Sequence, residues 1–199
     1  MARTERALRD ALAALLHEKP YAAIAVKEIL ARADVGRSTF YTHFPSKDAL
    51  LARCVRDFLG AAWAARGTAP ARPHDRVLGF SLPMLEFHAR QRRTHAAPVD
   101  PATRALLHAR LQDALATRVA AALQRGVEVG RGRGGQASPP AVPTELLARH
   151  VAAAFGVVLT WWLEQADALA PGEADARFRA LVAPALDAAL DMVPDGVGG

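Results

Sequence analysis

Residues 26–44, VKEILARADVGRSTFYTHF, constrain the fold most, because two short helical patterns meet there with almost no chain between them. The first pattern repeats apolar residues at the spacing of one helix face: Val26, Ile29, Leu30 and Ala33. Asp34-Val35-Gly36 is too short for anything but a tight turn, and the second pattern follows it from Arg37 to His43. The stretch therefore predicts two short helices joined by a tight turn.

The second helix of this pair has an apolar back and a polar front. Phe40 and Phe44 are expected to point into the core, which leaves these residues facing outward: Arg37, Ser38, Thr39, Tyr41 and His43. A helix that enters the major groove of DNA needs this division. The hydroxyl groups of Thr39 and Tyr41 can donate to phosphate oxygens, whereas Arg37 and its neighbour Ser38, at the entering end, can reach base edges. The pattern predicts a DNA-reading helix-turn-helix.

Further helices are expected on both sides of this pair. Apolar residues recur at helical spacing up to Lys19-Pro20, which ends a first helix. Ser46 is expected to cap a long helix that runs toward Arg66. Lys47, in the first turn of that helix, is placed to neutralise another phosphate.

The second half of the chain shows helical patterns and no competing strand pattern, so the predicted fold class is all-α. Residues 67–74 contain two prolines and predict a hinge. Residues 126–143, GVEVGRGRGGQASPPAVP, predict a flexible loop because they are rich in glycine, proline and arginine. The predicted helices run from Asp75 to about Arg92 with a kink at Pro83, from Pro101 to about Arg125, from Thr144 to about Ala168, and from Gly172 to about Val193.

The helix predicted from Thr144 is apolar on two faces. One stripe contains Leu147, Val151, Ala154, Phe155, Val158 and Trp162, and the other contains Leu146, Ala153, Val157 and Trp161. A helix with two apolar faces needs two partners, which favours a symmetric helical dimer. A central helix buried in a monomer is the alternative. The residues assigned to the dimer interface are Leu147, Val151, Phe155, Val158, Trp162, Leu181 and Leu186.

Two blocks within residues 2–60 resemble the TetR family of transcriptional regulators. ILARADVG at 29–36 is similar to the family's Ile-x-x-Ala-x-x-Ala-Gly-Val-Ser turn, and TFYTHFPSKDAL at 39–50 is similar to its Thr-x-Tyr-x-His-Phe-x-x-Lys-x-x-Leu end. The resemblance implies a three-helix DNA-binding domain over residues 1–60, with its helix-turn-helix at 25–44. It also implies a helical domain over 61–199 that binds an effector and dimerises.

By that resemblance the chain is a repressor that binds a palindromic DNA operator as a homodimer and is released by a small-molecule effector. Thr39, Tyr41, His43 and Lys47 would contact DNA. Candidate residues for the effector pocket are Phe80, Met84, Phe87, His88, Leu107, Leu111 and Trp161, although Trp161 could equally fill core or interface. An effector-less regulator or an activator, and a helical enzyme that carries a DNA-binding head, are the alternatives.

The chain departs from the family pattern at three positions of the helix-turn-helix. Asp34 stands where the family has the turn glycine, and aspartate adopts a left-handed conformation less readily than glycine does. Gly36 replaces a capping serine, and Ala25 replaces a capping threonine, so each lacks a side-chain acceptor for the helix that follows. The predicted consequence is a head held less rigidly by its own caps.

Composition and motifs narrow the class of function. The net charge of +5 and pI of about 10.1 suit a polyanionic partner. The single cysteine, Cys54, excludes an internal disulfide, and the charged start with no apolar run longer than residues 151–163 predicts a soluble cytoplasmic protein without a membrane partner. Neither paired carboxylates, a nucleophile motif nor metal-ligand histidine spacing is present in the sequence, so no enzyme activity, metal or cofactor is expected.

Overall fold

The computed structural model describes residues 2–65, 73–94, 99–131, 142–165 and 169–191. Within these ranges the chain forms α-helices and one 3-10 turn, with no strand, which confirms the predicted all-α class. The helices are α1 (Ala2–Glu18), α2 (Val26–Ala33), α3 (Arg37–His43), α4 (Lys47–Ala64), α5 (Pro73–Leu78), α6 (Ser81–Thr94), α7 (Pro101–Arg131), α8 (Thr144–Glu164) and α9 (Pro171–Asp191). The 3-10 turn, Tyr21–Ala23, lies between α1 and α2.

The first four helices begin and end where local sequence signals placed them. The predicted helix pair corresponds to α2 and α3. Ser46 caps α4, because its Oγ accepts a hydrogen bond from the Ala49 amide at 3.1 Å. The predicted capping role of Ser46 is thus confirmed.

The segment predicted as one helix kinked at Pro83 forms two helices, α5 and α6, which a turn at Gly79-Phe80 separates. Pro83 lies in the first turn of α6. Backbone N–H groups in a first turn have no carbonyl partner within their own helix, so a proline there breaks no hydrogen bond. The predicted kink was therefore wrong.

Part of the flexible loop predicted over residues 126–143 is helical instead, because α7 continues to Arg131. Adding a residue to an existing helix is far easier than starting one, so this 31-residue helix can include Gly126 and Gly130, each of which costs about 1 kcal/mol relative to alanine. Residues 132–141, and most of the predicted hinge at 67–74, lie outside the described residues. α9 continues through Pro184 to Asp191.

The chain divides into two compact units. The first contains Met1–Phe58 together with Arg92–Leu111, and the second contains Leu59–Gln91 together with Gln112–Gly199. The first unit is called the head below. The boundary predicted at residue 60 lies close to the end of the head's first segment, but the prediction did not place any α7 residue in the head.

The core of the head is apolar and draws on every helix from α1 to α4. Tyr21 and Ile24, which connect α1 to α2, are buried in it, and Leu106 and Leu107 of α7 pack against it. Its fully buried members have at most a few per cent of their surface exposed: Leu8, Leu12, Ile29, Phe40, Leu50 and Leu51. Burial of this kind is the main stabilising contribution to a small helical domain.

The core of the second unit is built around four aromatic rings. Phe80 stacks on Trp63 with ring centroids 4.7 Å apart, and it meets Phe155 edge-on at 5.1 Å. Phe178 completes the cluster at 5.2 Å from Phe155. Edge-on and offset pairs of this type add about 0.5–1.5 kcal/mol each to the burial of their area.

Among the described residues, α8 is the one helix that is long and apolar enough to cross a bilayer, at 21 residues. The expectation that the apolar run was too short considered only residues 151–163, whereas the helix begins at Thr144. Half of the apolar stretch of α8 is buried inside the protein, and one such helix carries little weight by itself. Its composition is therefore weak evidence for a membrane.

Candidate nucleic-acid interface

The amino end of α2 is stabilised by a side chain from its own first turn and not by the N-cap side chain. Ala25 has an extended backbone and offers no acceptor, but Glu28 reaches back and accepts a hydrogen bond from the Ala25 amide at 2.9 Å. Glu28 also pairs with Lys19, and that hydrogen bond is the main cause that lowers the pKa of the Glu28 carboxyl. Half of a capping box thus remains at the position where the sequence lacks a capping threonine.

The turn between α2 and α3 depends on a left-handed residue. Asp34 has φ 52° and ψ 49°, and its amide donates to the Leu30 carbonyl. The Val35 amide donates to the same oxygen at 3.1 Å, which closes the carboxyl end of α2. Gly36 then caps α3 with extended backbone and without a side-chain hydrogen bond. These conformations match the expectations for Asp34 and Gly36.

α3 presents a polar, exposed surface on an anchored back. Phe40 is fully buried and Phe44 nearly so. Four of the six residues assigned to DNA are exposed on this helix: Arg37, Ser38, Thr39 and Tyr41. The Arg37 guanidinium lies 5.8 Å from the centroid of the Tyr41 ring, an arrangement that keeps both groups at the surface.

His43 does not face outward as predicted. Only 10% of its side chain is exposed, and its Nδ1 lies 3.4 Å from a carboxylate oxygen of Glu5 on α1. Its position explains the difference, since His43 follows Phe40 by three residues and therefore shares the inward side of the helix. The predicted outward orientation of His43 was wrong, and the residue joins α3 to α1.

Lys47 is half-buried and is already bound to the head. Its ammonium donates to the carbonyl oxygens of Tyr21 at 2.8 Å and of Ile24 at 2.7 Å. It also lies 4.1 Å from the centroid of the Tyr21 ring. Two of its three N–H donors are thus occupied, which leaves one for a phosphate.

Ion pairs join the helices that surround α3. Arg9 of α1 pairs with Asp57 of α4, and Asp57 also accepts from Arg53 at 3.0 Å. Arg32 of α2 pairs with Glu18 of α1, which lowers the pKa of the exposed Glu18 carboxyl. Exposed pairs of this type contribute little individually, but together they link three helices around the reading helix.

Lys27 was not assigned to DNA by the sequence reasoning, yet it is exposed in the first turn of α2. Unpaired amides at a helix start favour anions, and an exposed lysine beside them adds positive charge. The sequence did contain a signal for this role, because Lys27 is the second residue of the first helix predicted for the helix-turn-helix.

The residues predicted to line an effector pocket do not form one group. Phe80 and Met84 are buried in the core of the second unit, where Phe80 belongs to the aromatic cluster. Burial lowers the pKa of His88 to about 4. Leu107 packs against the core of the head, and Leu111 belongs to the same unit. Trp161 is exposed on α8.

A cleft of about 390 Å³ lies between α7 and α8 in the second unit. Alanine residues form much of its lining, together with five polar residues: Gln112, Asp113, Thr117, Glu145 and Arg149. The predicted pocket residues do not line this cleft. Within the described parts of the chain, no cluster of three His, Cys, Asp or Glu side chains could hold a metal ion.

The two apolar stripes of α8 have the opposite roles from those predicted. Six of the seven residues assigned to the dimer interface are buried within their own unit: Leu147, Val151, Phe155, Val158, Trp162 and Leu186. The second stripe is exposed, with Val157 at 66%, and it includes Leu146 and Trp161. Leu181 of α9, the seventh assigned residue, is 62% exposed. The larger side chains of the first stripe fill the core, so the surplus face is the second one.

The head defines a class of protein. It has a short polar helix anchored by two phenylalanines, preceded by a tight turn and a supporting helix, and this is the geometry of a helix-turn-helix DNA-binding protein.

Comparison with known proteins assigns the DNA-binding segment to a family and shows which solved structures share the fold. Residues 8–54 match the family described as "Bacterial regulatory proteins, tetR family". The fold of the whole chain is similar to a TetR transcriptional regulator from Streptococcus agalactiae 2603V, at 22% identity and a TM-score of 0.53, covering 91% of this chain and 94% of that one. The segment at 8–54 thus matches the TetR family, and the chain shares the fold of TetR-family regulators.

Two other solved structures share the fold. RolR, in complex with the ligand resorcinol, is 19% identical with a TM-score of 0.54, and the alignment covers 100% of this chain and 96% of RolR. A TetR transcriptional regulator from Rhodococcus sp. RHA1 is 17% identical with a TM-score of 0.52, over 99% and 98% of the two chains. No curated protein sequence matched the chain.

Proposed function

We propose that the chain is a TetR-family transcriptional regulator, a cytoplasmic repressor that binds a palindromic operator as a homodimer and leaves it when a small molecule binds. The observation that supports the proposal best is the pairing of an exposed polar α3 with an exposed apolar face on α8 and α9. A two-fold dimer would present two copies of α3 to successive major grooves, about 34–36 Å apart.

The proposed DNA contacts divide into two kinds. Arg37 and Ser38, at the amino end of α3, are assigned to base edges, and an arginine pairs most often with guanine. Thr39, Tyr41 and the free N–H of Lys47 are assigned to phosphates, which fix the register of the helix without reading sequence. His43 is assigned to orienting α3 through Glu5, since its side chain is nearly buried.

A gel-shift titration with DNA from the chain's own promoter region tests the operator proposal. Specific binding at physiological salt should exceed binding to a scrambled duplex of the same composition by about 10³-fold or more. Equal affinity for the two duplexes would remove the claim of a specific operator.

The apolar face, defined as Leu146, Val157, Trp161 and Leu181, is proposed to be covered by a second copy of the chain. Leu181→Glu places a charge in that contact, and burying an unpaired carboxylate costs several kcal/mol. Sedimentation should then show the 21.2 kDa monomer where the wild type is twice that mass. Ala61→Glu, at an exposed position of α4, is the matched control and should stay dimeric.

Effector binding is tested by thermal shift with small aromatic compounds, among them resorcinol, the ligand named for RolR. A ligand at 100 times its dissociation constant stabilises the folded state by about 2.7 kcal/mol. An effector-less regulator is the second candidate, and the close packing of Phe80 with Trp63 and Phe155 supports it, since these rings fill the space between them. A compound that stabilises the protein and also releases it from the operator would favour the ligand-responsive repressor over the effector-less regulator.

A further inference from the structure

We propose that Thr103, in the first turn of α7, is a positioning residue for the helix-turn-helix, and that it acts through a hydrogen bond to the backbone of Tyr21. Thr103 lies far outside the residues that match the family. The functional part of this inference rests on the proposed DNA binding, and the contact itself does not.

Thr103 is held in place by the cap of its own helix. Asp100 Oδ1 accepts hydrogen bonds from the amides of Ala102 and Thr103, both at 3.1 Å. Pro101 occupies the first helical position, where proline suits a helix start. The Thr103 side chain is 2% exposed, and its Oγ1 accepts from the Tyr21 amide at 2.8 Å. The cap thus fixes the backbone of α7 at Thr103, from which the hydroxyl reaches Tyr21.

Tyr21 is hydrogen-bonded to the start of α4, and through Lys47 it is linked to the chain just before α2. Its carbonyl accepts from Lys47, and its hydroxyl donates to Asp48 Oδ1 at 2.6 Å, so two residues at the start of α4 depend on it. Lys47 also donates to the carbonyl of Ile24, just before α2. Burial, followed by the hydrogen bond to Asp48, raises the pKa of the Tyr21 phenol above its ordinary range. A shift of Tyr21 would thus move the chain on both flanks of α2 and α3.

Apolar contacts support the same role for α7. Leu106 and Leu107, within one turn of Thr103, pack against the core that includes Ile29 and Phe40. Because Phe40 anchors the reading helix, the beginning of α7 and the back of α3 belong to one packed cluster. The caps of α2 and α3 lack side-chain acceptors at Ala25 and Gly36, so rigidity must come from such neighbouring elements.

The test uses the full chain and three variants, two at Thr103 and one control at Thr117. Thr103→Val removes the acceptor at nearly constant volume, and Thr103→Ser restores it. Thr117→Val is the control on the same helix, because Thr117 is exposed and its hydroxyl donates to the Asp113 carbonyl of its own helix at 2.9 Å. Operator affinity and amide hydrogen exchange at Tyr21 are measured at a temperature where circular dichroism shows each variant folded.

Thr103→Val should speed exchange of the Tyr21 amide about tenfold and weaken operator binding about tenfold, the loss expected for one buried hydrogen bond. Thr103→Ser should restore both quantities, and Thr117→Val should change neither. Unchanged Tyr21 exchange in Thr103→Val, unchanged operator affinity, or a serine variant as impaired as the valine one would each overturn the proposal.

The wild-type chain supplies a readout that needs neither a variant nor DNA. Tyr21 is the first residue of its 3-10 turn, so its amide has no backbone acceptor within that turn. Hydrogen exchange should nevertheless show this amide protected, because Thr103 Oγ1 accepts its hydrogen bond. A Tyr21 amide that exchanges as fast as an open loop would overturn the Thr103 contact even if a variant failed to fold. If the wild type bound no promoter DNA, the proposed function would fail, while this exchange measurement would still decide the contact.

Discussion

Asp34 offers the sharpest test of how the helix-turn-helix is held. Its φ of 52° is the one positive value at a non-glycine position in the described ranges. A left-handed conformation costs an ordinary residue roughly 1–2 kcal/mol, and aspartate somewhat less. Glycine avoids that cost but makes the unfolded chain more flexible, which offsets roughly 0.4–1 kcal/mol. Asp34→Gly should therefore raise the free energy of unfolding of the head by about 0.5 kcal/mol.

A glycine placed elsewhere in the same element should have the opposite effect. Ala31 is exposed in the interior of α2, where the backbone is helical. Ala31→Gly should lower the free energy of unfolding by about 1 kcal/mol, because glycine is a poor helix former. The two substitutions introduce the same residue three positions apart, so a difference in sign isolates the backbone conformation of Asp34.

The assay must report on the head alone. The three tryptophans, Trp63, Trp161 and Trp162, all belong to the second unit, so tryptophan fluorescence does not follow the head. Native-state hydrogen exchange at the amides of α2 and α3 does follow it. Protection should rise about twofold in Asp34→Gly and fall about fivefold in Ala31→Gly. A loss in Asp34→Gly as large as that in Ala31→Gly would refute the reasoning.

Three further predictions concern single residues of the head. Arg37→Ala should weaken operator binding by about 1–3 kcal/mol and random-DNA binding much less, whereas Tyr41→Ala should weaken binding to both duplexes alike. Fluorescence anisotropy with both duplexes measures the losses. Equal losses for Arg37→Ala would contradict its role as a base reader. Gly36→Ser should stabilise the head by a few tenths of a kcal/mol in urea unfolding, because a Cβ there meets only Thr39 Oγ1 at 3.9 Å and the hydroxyl can cap α3. Burial raises the pKa of Cys54 to about 11, so alkylation by iodoacetamide at pH 8 should be about a hundredfold slower than for the urea-unfolded chain, and comparable rates would show an accessible thiolate.

Local features of the sequence were sufficient to predict the helices and the helix-turn-helix. The spacing of Val26, Ile29 and Leu30, the short turn at Asp34 and the capping Ser46 each act within a few residues, where helical geometry leaves few alternatives. The left-handed backbone of Asp34 followed from the same local reasoning. Errors at this level were limited to helix ends and to Pro83, where competing local preferences are close in energy.

Tertiary structure decided which of several equivalent surfaces is buried. Periodicity revealed two apolar stripes on α8, but only packing against the aromatic cluster shows that Phe155 lies inside and Val157 outside. Periodicity also could not show that His43 turns toward Glu5, because the partner belongs to another helix.

The contact between Tyr21 and Thr103 marks the limit of what the sequence alone determines. The two residues are 82 positions apart, and neither has a neighbouring signal that predicts the other. The local sequence shows that a turn has an unpaired backbone donor. Which acceptor pairs with that donor once it is buried depends on how distant helices pack. The sequence by itself determined a reading helix and its supporting turn, and the tertiary structure decided which distant residue holds that turn in place.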